Sequence, residues 1–375
     1  MTISLPITII GGGVIGLAIA RELSAISDGV YLLEKNIRLG DEASTRNAEV
    51  IHASIFCENN TLEEKLCLDG KRKLYQFCND FNVPHSKCGK LIVATDSDDE
   101  RTLDIMIKEK SDKMNLIELN QAQIKSINPK IKSKSALSVP SSGVIDSADY
   151  LKKLSAIAKS NHAQILPENE VIDVIANKND FTLKVRCRNN IDYIKTNFLI
   201  NAAGINAGEI AKKINPEFKY ELELLEGKFY NYQSTNKDEV NMNIYPAPKD
   251  YTDPNINVKN LGIHLTPNIS YDGFSRDVKL GPSIGFVSDG LKNEEFLFKD
   301  FFYDEVSKYY SLNRNQLHEG FSGKLVTDKL SAEGFIIRVN PKYNRCIELV
   351  NIASPGLTAS LAIAELVKEM YLENA

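Results

Sequence analysis

The chain is short of the residues that build metal centres and disulfide frameworks. Its six cysteines are Cys57, Cys67, Cys78, Cys88, Cys187 and Cys346; none forms C-x-x-C, and only five histidines accompany them. No His/Cys group has zinc spacing, so the expectation is no metal and reduced thiols in a cytosolic protein. A run of about eighteen or more apolar residues is also missing, which argues against a transmembrane helix. Positive charge is not in excess: 45 Lys and Arg against 50 Asp and Glu give a net charge of -5. That removes the electrostatic reason to expect nucleic acid or an anionic membrane as partner. No internal repeat or low-complexity tract is visible. The stretch Leu5 to Ala20 imitates a secretory signal, but glycines interrupt it and Arg21-Glu22 follow at once. It reads instead as a buried strand and helix of a cytoplasmic protein. Peripheral attachment to the inner face of a membrane stays open.

What is present is concentrated near the start. Ile7-Thr8-Ile9-Ile10 is a β-branched run suited to a strand buried on both faces. It runs into Gly11-Gly12-Gly13-Val14-Ile15-Gly16, which fits G-x-G-x-x-G, then into a helix expected from Val14 to Ala25. A second strand, Val30 to Leu33, ends in Glu34, 18 residues after Gly16 (34 minus 16). The spacing is near the roughly 20 expected of an acid that binds ribose hydroxyls. Gly11 permits the tight turn, Gly13 lets a pyrophosphate approach the backbone, and Gly16 lets the helix pack close to the sheet. The helix N-terminus then offers free N–H groups to phosphate. Glu34 would repel a 2′-phosphate, which favours FAD or NAD over NADP.

With 375 residues, two domains are the natural expectation. Thr61 and Glu64 form a capping box for a helix running to about Phe81. Lys90 to Ala94 reads as a strand and Asp96 to Met114 as a surface helix. Residues 119–135 read as a surface connection. Ser147 is placed to cap a helix to about Lys159. Glu170 to Ile175 is an expected strand, Phe181 to Arg186 with Ile191 to Lys195 a hairpin, and Phe198 to Ile200 a further strand. Strands are expected at Lys228 to Tyr232, Leu261 to Thr266, Val278 to Leu280 and Ile347 to Asn351. Helices are expected over Glu294 to Leu312 and from Pro355 to about Leu372.

At this point a family is visible. The stretches Gly11 to Gly16, Ser44 to Ala53, Cys88 to Thr95, Pro140 to Asp146 and Asn201 to Gly204 carry it. Tyr245 to Pro248, Leu261 to Thr266 and Ser354 to Glu365 complete the set. Together they resemble the flavin-dependent oxidoreductases of the D-amino-acid oxidase and glycine oxidase class, and within it the L-2-hydroxyglutarate dehydrogenases. The resemblance implies FAD. It implies an α/β fold with a discontinuous Rossmann-like FAD-binding domain (1–82, 142–215 and 330–375). An antiparallel-sheet α+β substrate domain (83–141 and 216–329) would roof the flavin. Ser44, Thr45, Arg46 and Asn47 would serve the pyrophosphate and ribityl chain. Val171, Ala203 and Gly204 would lie along the nucleotide. Gly356, Leu357 and Thr358 would open the last helix towards the flavin, where a helix N-terminus stabilises negative charge.

The activity implied is oxidation of a small 2-hydroxy acid to the 2-oxo acid, with hydride passing to flavin N5. The electron acceptor is open among oxygen, a quinone and an electron-transfer protein. His52 is the first candidate base and His264 the second, because a near-neutral intrinsic pKa suits the task; His85, His162 and His318 have no such context. Tyr245 and four further positions are the expected substrate contacts. Relatives tend to carry cations where this chain has Glu226 and Ser322, which leaves Lys228 and Lys324 nearby. A charged hydrogen bond is worth about 1.5–3 kcal/mol, so either those lysines compensate or the substrate differs from 2-hydroxyglutarate. An amine or amino-acid oxidase, and a catalytically weak flavoprotein, are the alternative readings.

Overall fold

The computed structural model describes residues 3–237, 239–249, 251, 261–286, 299–328 and 334–375. Two large sheets divide the chain. The first is built on Ile3–Ile10, whose Ile7 and Ile9 are buried, as the β-branched run requires. It pairs in parallel with Val30–Leu33 on one side and with Asn190–Asn201 on the other. Gln164–Leu166 and Cys346–Val350 extend the parallel array at its two sides. The hairpin expected at 181–195 and the strand at 198–200 prove to be continuous. Asn190–Asn201 is one twelve-residue strand, pairing with Phe181–Cys187 first and with Cys346–Val350 at its end.

Helices Val14–Ser24, Leu62–Asp80, Ser147–Ser160 and Gly356–Asn374 contribute to one core against this sheet. Gly70 explains how close two of them lie. A Cβ there would stand 2.5 Å from the Thr358 carbonyl and 2.6 Å from Ala359 Cα, so a side chain would push the last helix away. The cap of the helix at Ser147 is not Ser147 itself. Asp146 accepts the Asp149 amide, and Ser147 hydroxyl and amide both turn to Glu49. An acceptor one residue earlier takes the N3 donor, which is the geometry a cap needs.

The second sheet has eight strands. In spatial order they are 317–328, 222–233, 273–286, 265–270, 243–246, 90–94, 135–138 and 117–120. The sheet is antiparallel as expected, apart from Asn243–Pro246 against Lys90–Ala94, which run parallel. Residues 119–135 are not a plain connection either. They contain the end of strand Ile117–Asn120 and helix Gln121–Ile127, closed by an Asn120/Gln123 capping box. The strand expected from Leu261 begins at Leu265, leaving His264 just ahead of it. Of the helix expected from Glu294, the described part is Lys299–Ser307; residues 287–298 and the domain border near 330 lie outside the described residues. A small sheet of Val50–Ile51, Gly143–Ile145 and His85–Ser86 stitches the two halves together.

Candidate active site

The groove begins where Ile3–Ile10 ends. Gly11 has φ +109°, and a Cβ there would lie 2.3 Å from the Ala202 carbonyl oxygen. Both facts demand glycine. Gly16 sits 1.9 Å, measured from its would-be Cβ, from the Gly11 carbonyl, so the helix rides directly on the turn. Gly13 is different: its would-be Cβ meets only Ser44 Oγ, at 3.0 Å. Gly204, at the end of the neighbouring strand, faces open space within 4 Å, and Ala203 beside it is half-buried. These glycines leave a backbone-lined cradle at the carboxyl ends of parallel strands, where such sheets bind ligands.

Polar groups surround the cradle. Ser44 Oγ accepts the Val14 amide at 2.9 Å. Glu34 is buried, and its two oxygens accept the Gly12 and Asn36 amides at 2.6 and 2.7 Å. A carboxylate has about four lone-pair sites, so room is left for two hydroxyl donors. The other expected phosphate ligands are engaged locally. Thr45 donates to the Gly40 carbonyl, Asn47 bonds the Ala43 and Ser44 carbonyls, and the Arg46 guanidinium turns to Asp41. It is the Arg46 backbone that matters for packing, since a Cβ on Gly323 of the second sheet would collide with its carbonyl. Val171 is buried in the hairpin strand at a bulge. The last helix starts at Gly356 behind Pro355, with no side-chain cap.

The two candidate histidines stand at other elements, His52 beside the start of the last helix and His264 just ahead of a strand of the second sheet. The His52 amide donates to Thr358 Oγ1 at 3.0 Å, and Ser354 Oγ lies 3.3 Å from His52 Nε2. So the segment before the last helix positions the imidazole. Burial first, then the charge of Lys90 and the neighbouring His264, hold the His52 pKa well below its usual value. His264 is 4% exposed, stacks on Tyr245 at 3.8 Å, and has Nε2 without a partner among the described residues. Burial, with Lys90 as the second cause, lowers its pKa to about 3. Both rings are therefore neutral at neutral pH and each offers a lone pair.

The pairing register puts Lys90, Asn243, Tyr245, His264 and Thr266 on one face of the second sheet. Four buried polar atoms on that face have no partner among the described residues: Lys90 Nζ, Asn243 Oδ1, His264 Nε2 and Thr266 Oγ1. Buried polar groups are normally satisfied, so this concentration makes the face a candidate ligand surface. The glycine cradle, the buried carboxylate, the uncapped helix start and this face fit an extended dinucleotide with a ring system at the histidine end. Glu226 stands opposite Lys324, and Lys228 opposite Ser322, on the two strands at the far edge. Glu226, Lys228 and Ser322 are half-buried and Lys324 is exposed. Lys90, Ser354, Asn243 and Thr266 were not singled out in the sequence. A lysine opening an apolar strand reads there as an edge residue, and nothing in its neighbours reveals its burial. Among the described residues no cluster of three His, Cys, Asp or Glu is placed to hold a metal, and no helix is long and apolar enough to cross a membrane.

Comparison with known proteins agrees with this geometry. The family model described as FAD dependent oxidoreductase matches residues 6–370. The mitochondrial L-2-hydroxyglutarate dehydrogenase of Arabidopsis thaliana is 29% identical, over 97% of this chain and 83% of that one. The glycerol 3-phosphate dehydrogenase of Caloramator mitchellensis is 27% identical, over 96% and 72%. Among solved structures, dithionite-reduced L-alpha-glycerophosphate oxidase of Mycoplasma pneumoniae with FAD bound is 25% identical. It superposes with a TM-score of 0.82 over 98% of this chain and 95% of that chain.

Proposed function

Because the chain belongs to the FAD dependent oxidoreductase family, with FAD as its cofactor, we propose that it oxidises a small anionic secondary alcohol. An L-2-hydroxyglutarate-like 2-hydroxy acid, giving the 2-oxo acid, is the leading candidate. The observation that supports this most is the placement of two histidines: His52, held by Thr358 and Ser354, and buried His264, stacked on Tyr245 with Nε2 unpartnered among the described residues. When bound, FAD supplies the hydride acceptor at N5.

The chain's own residues do the rest. Gly13 and the first turn of Val14–Ser24 receive the pyrophosphate, with Glu34 on the ribose. His52, partly exposed, accepts the substrate hydroxyl proton, and Ser354 holds its ring in place. His264 Nε2 hydrogen-bonds the substrate from the roof, and Tyr245 fixes the His264 ring by stacking. General base action of this kind contributes about 10²–10⁴-fold. Lys228 and Lys324 border the site from the far strands, with Glu226 and Ser322 opposite them.

A second substrate has a specific observation behind it. Two of the relatives are named for glycerol phosphate, and that molecule too is a secondary alcohol carrying an anion. Anaerobic mixing of the yellow protein with L-2-hydroxyglutarate, D-2-hydroxyglutarate, glycerol 3-phosphate, glycine and amino acids tests the reading. Bleaching of the flavin by one of the hydroxy compounds is expected. Bleaching by amines alone would replace it with the amine-oxidase alternative.

A further inference from the structure

Lys90 opens the strand Lys90–Ala94 and is 1% exposed, yet its ammonium has no hydrogen-bond partner among the described residues. The charged or ionisable groups that act on it are thiols, not carboxylates. It is nonetheless held in place. Nζ lies 3.8 Å from the centre of the Tyr245 ring and 4.9 Å from that of Phe56. His264 stacks on Tyr245 at 3.8 Å with 14° between the planes, so it fills one face of that ring. The ammonium therefore lies on the other side of Tyr245, beside the Tyr245–Phe56 pair, whose centroids are 6.0 Å apart. Ring faces attract a cation but accept none of its three N–H groups in a conventional hydrogen bond. A buried charge without a counter-ion is costly, and chains normally avoid it. The other buried lysine of this face, Lys279, is already bound by Glu49 and Asn268.

We propose that Lys90, held against the rings of Phe56 and Tyr245 beside His52 and His264, is the cation that binds the anionic group of the substrate, a carboxylate or a phosphate ester. This rests on the reading that the two histidines mark the reacting end of the groove. It also answers the loss of cations at Glu226 and Ser322: the charge is supplied from the middle of the roof rather than from its far strands.

Burial lowers the Lys90 pKa to about 7. An anion on the amine stabilises its charged form, so binding above that pH takes up a proton. The titratable groups around Lys90 are His52, His264, Tyr245 and the thiols of Cys57, Cys67 and Cys88. Burial holds both histidines low and Tyr245 high. The Cys57 thiol is raised by a side-chain hydrogen bond with the Cys67 thiol and by burial, and Cys88 to about 11 by burial.

The test titrates the flavin-loaded protein with oxalate and, separately, with sulfate, following the flavin absorbance between pH 6 and 9. Neither anion titrates in that range. Affinity should fall by about tenfold per pH unit above 7, because only the protonated amine binds. Lys90→Met should weaken both anions at least tenfold at pH 6 and flatten the profile, and Lys90→Arg should restore part of the affinity. Tighter oxalate than sulfate points to a carboxylate substrate, and the reverse to a phosphate ester. Unchanged binding in Lys90→Met, or a flat profile in the wild type, overturns the proposal. Should Lys90→Met fail to fold, a pH indicator serves with the wild type. Mixing with oxalate at pH 8 should consume about one proton per site, and no uptake overturns the proposal. If the anions bind as expected but no hydroxy compound bleaches the flavin, Lys90 keeps its role and the alcohol-oxidation reading falls.

Discussion

The His52 amide is hydrogen-bonded to Thr358 Oγ1 at 3.0 Å across 306 positions of sequence, and the same hydroxyl donates to the Val50 carbonyl. One buried side chain thus ties the candidate base to the start of the last helix. Thr358→Val keeps the shape and removes both bonds. Leaving the His52 amide unsatisfied should cost about 1–3 kcal/mol of stability. Denaturant unfolding at fixed FAD measures it, and a loss below a few tenths of that would mean the amide finds another acceptor.

Gly11 and Gly13 should separate folding from cofactor binding. A side chain at Gly11 meets the Ala202 carbonyl at 2.3 Å in a backbone conformation that disfavours it, so Gly11→Ala should give poorly folded protein. Gly13 has only Ser44 Oγ nearby. Gly13→Glu should therefore give soluble, colourless protein, because a carboxylate then occupies the phosphate position. A yellow Gly13→Glu would contradict the pyrophosphate assignment.

His52→Ala should slow flavin reduction by roughly two decades or more, in the range of lost acid–base catalysis. Stopped-flow reduction at saturating substrate reads the chemical step directly. An unchanged rate clears His52 and leaves His264 as the base.

The pH dependence of kcat/KM should be bell-shaped. His52 acts as its neutral form, and its pKa is lowered by burial, Lys90 and His264. Activity is therefore retained on acidification until below pH 6.5, later than for an ordinary histidine. On the alkaline side Lys90 must be protonated, and its pKa is about 7, so kcat/KM should fall from there upward. In Lys90→Met the alkaline limb should vanish, while an alkaline limb of unchanged position assigns it to another group.

Ser322→Arg restores a cation beside Lys228 on the outer strands. If the half-buried side chain faces the substrate, dicarboxylates should bind about ten- to a hundredfold tighter, as expected for a charged hydrogen bond. Isothermal titration with 2-oxoglutarate decides it, and an unchanged affinity places Ser322 away from the ligand.

The nucleotide end of the groove was legible because its constraints are local. A β-branched run, glycines at set offsets and an acid after the next strand are all dictated by backbone geometry within some thirty residues. The same locality governs Thr45, Arg46 and Asn47, whose polar side chains bond carbonyls of their own loop. It misled at Ser147, where the cap falls on Asp146.

By itself the sequence determined the strand–turn–helix–strand that cradles a dinucleotide, the family whose motifs run through the chain, and the two histidines worth examining. Tertiary structure alone brought together the residues proposed for the reacting end. Lys90 and Tyr245 come from two separate strands, His264 from the residue ahead of a third, and Ser354 from a segment near the end of the chain. Their meaning lies in burial and in missing partners. Whether a lysine is solvated or sealed against two rings depends on which distant strands pair beside it, and register across a sheet leaves no mark on the sequence around a single residue.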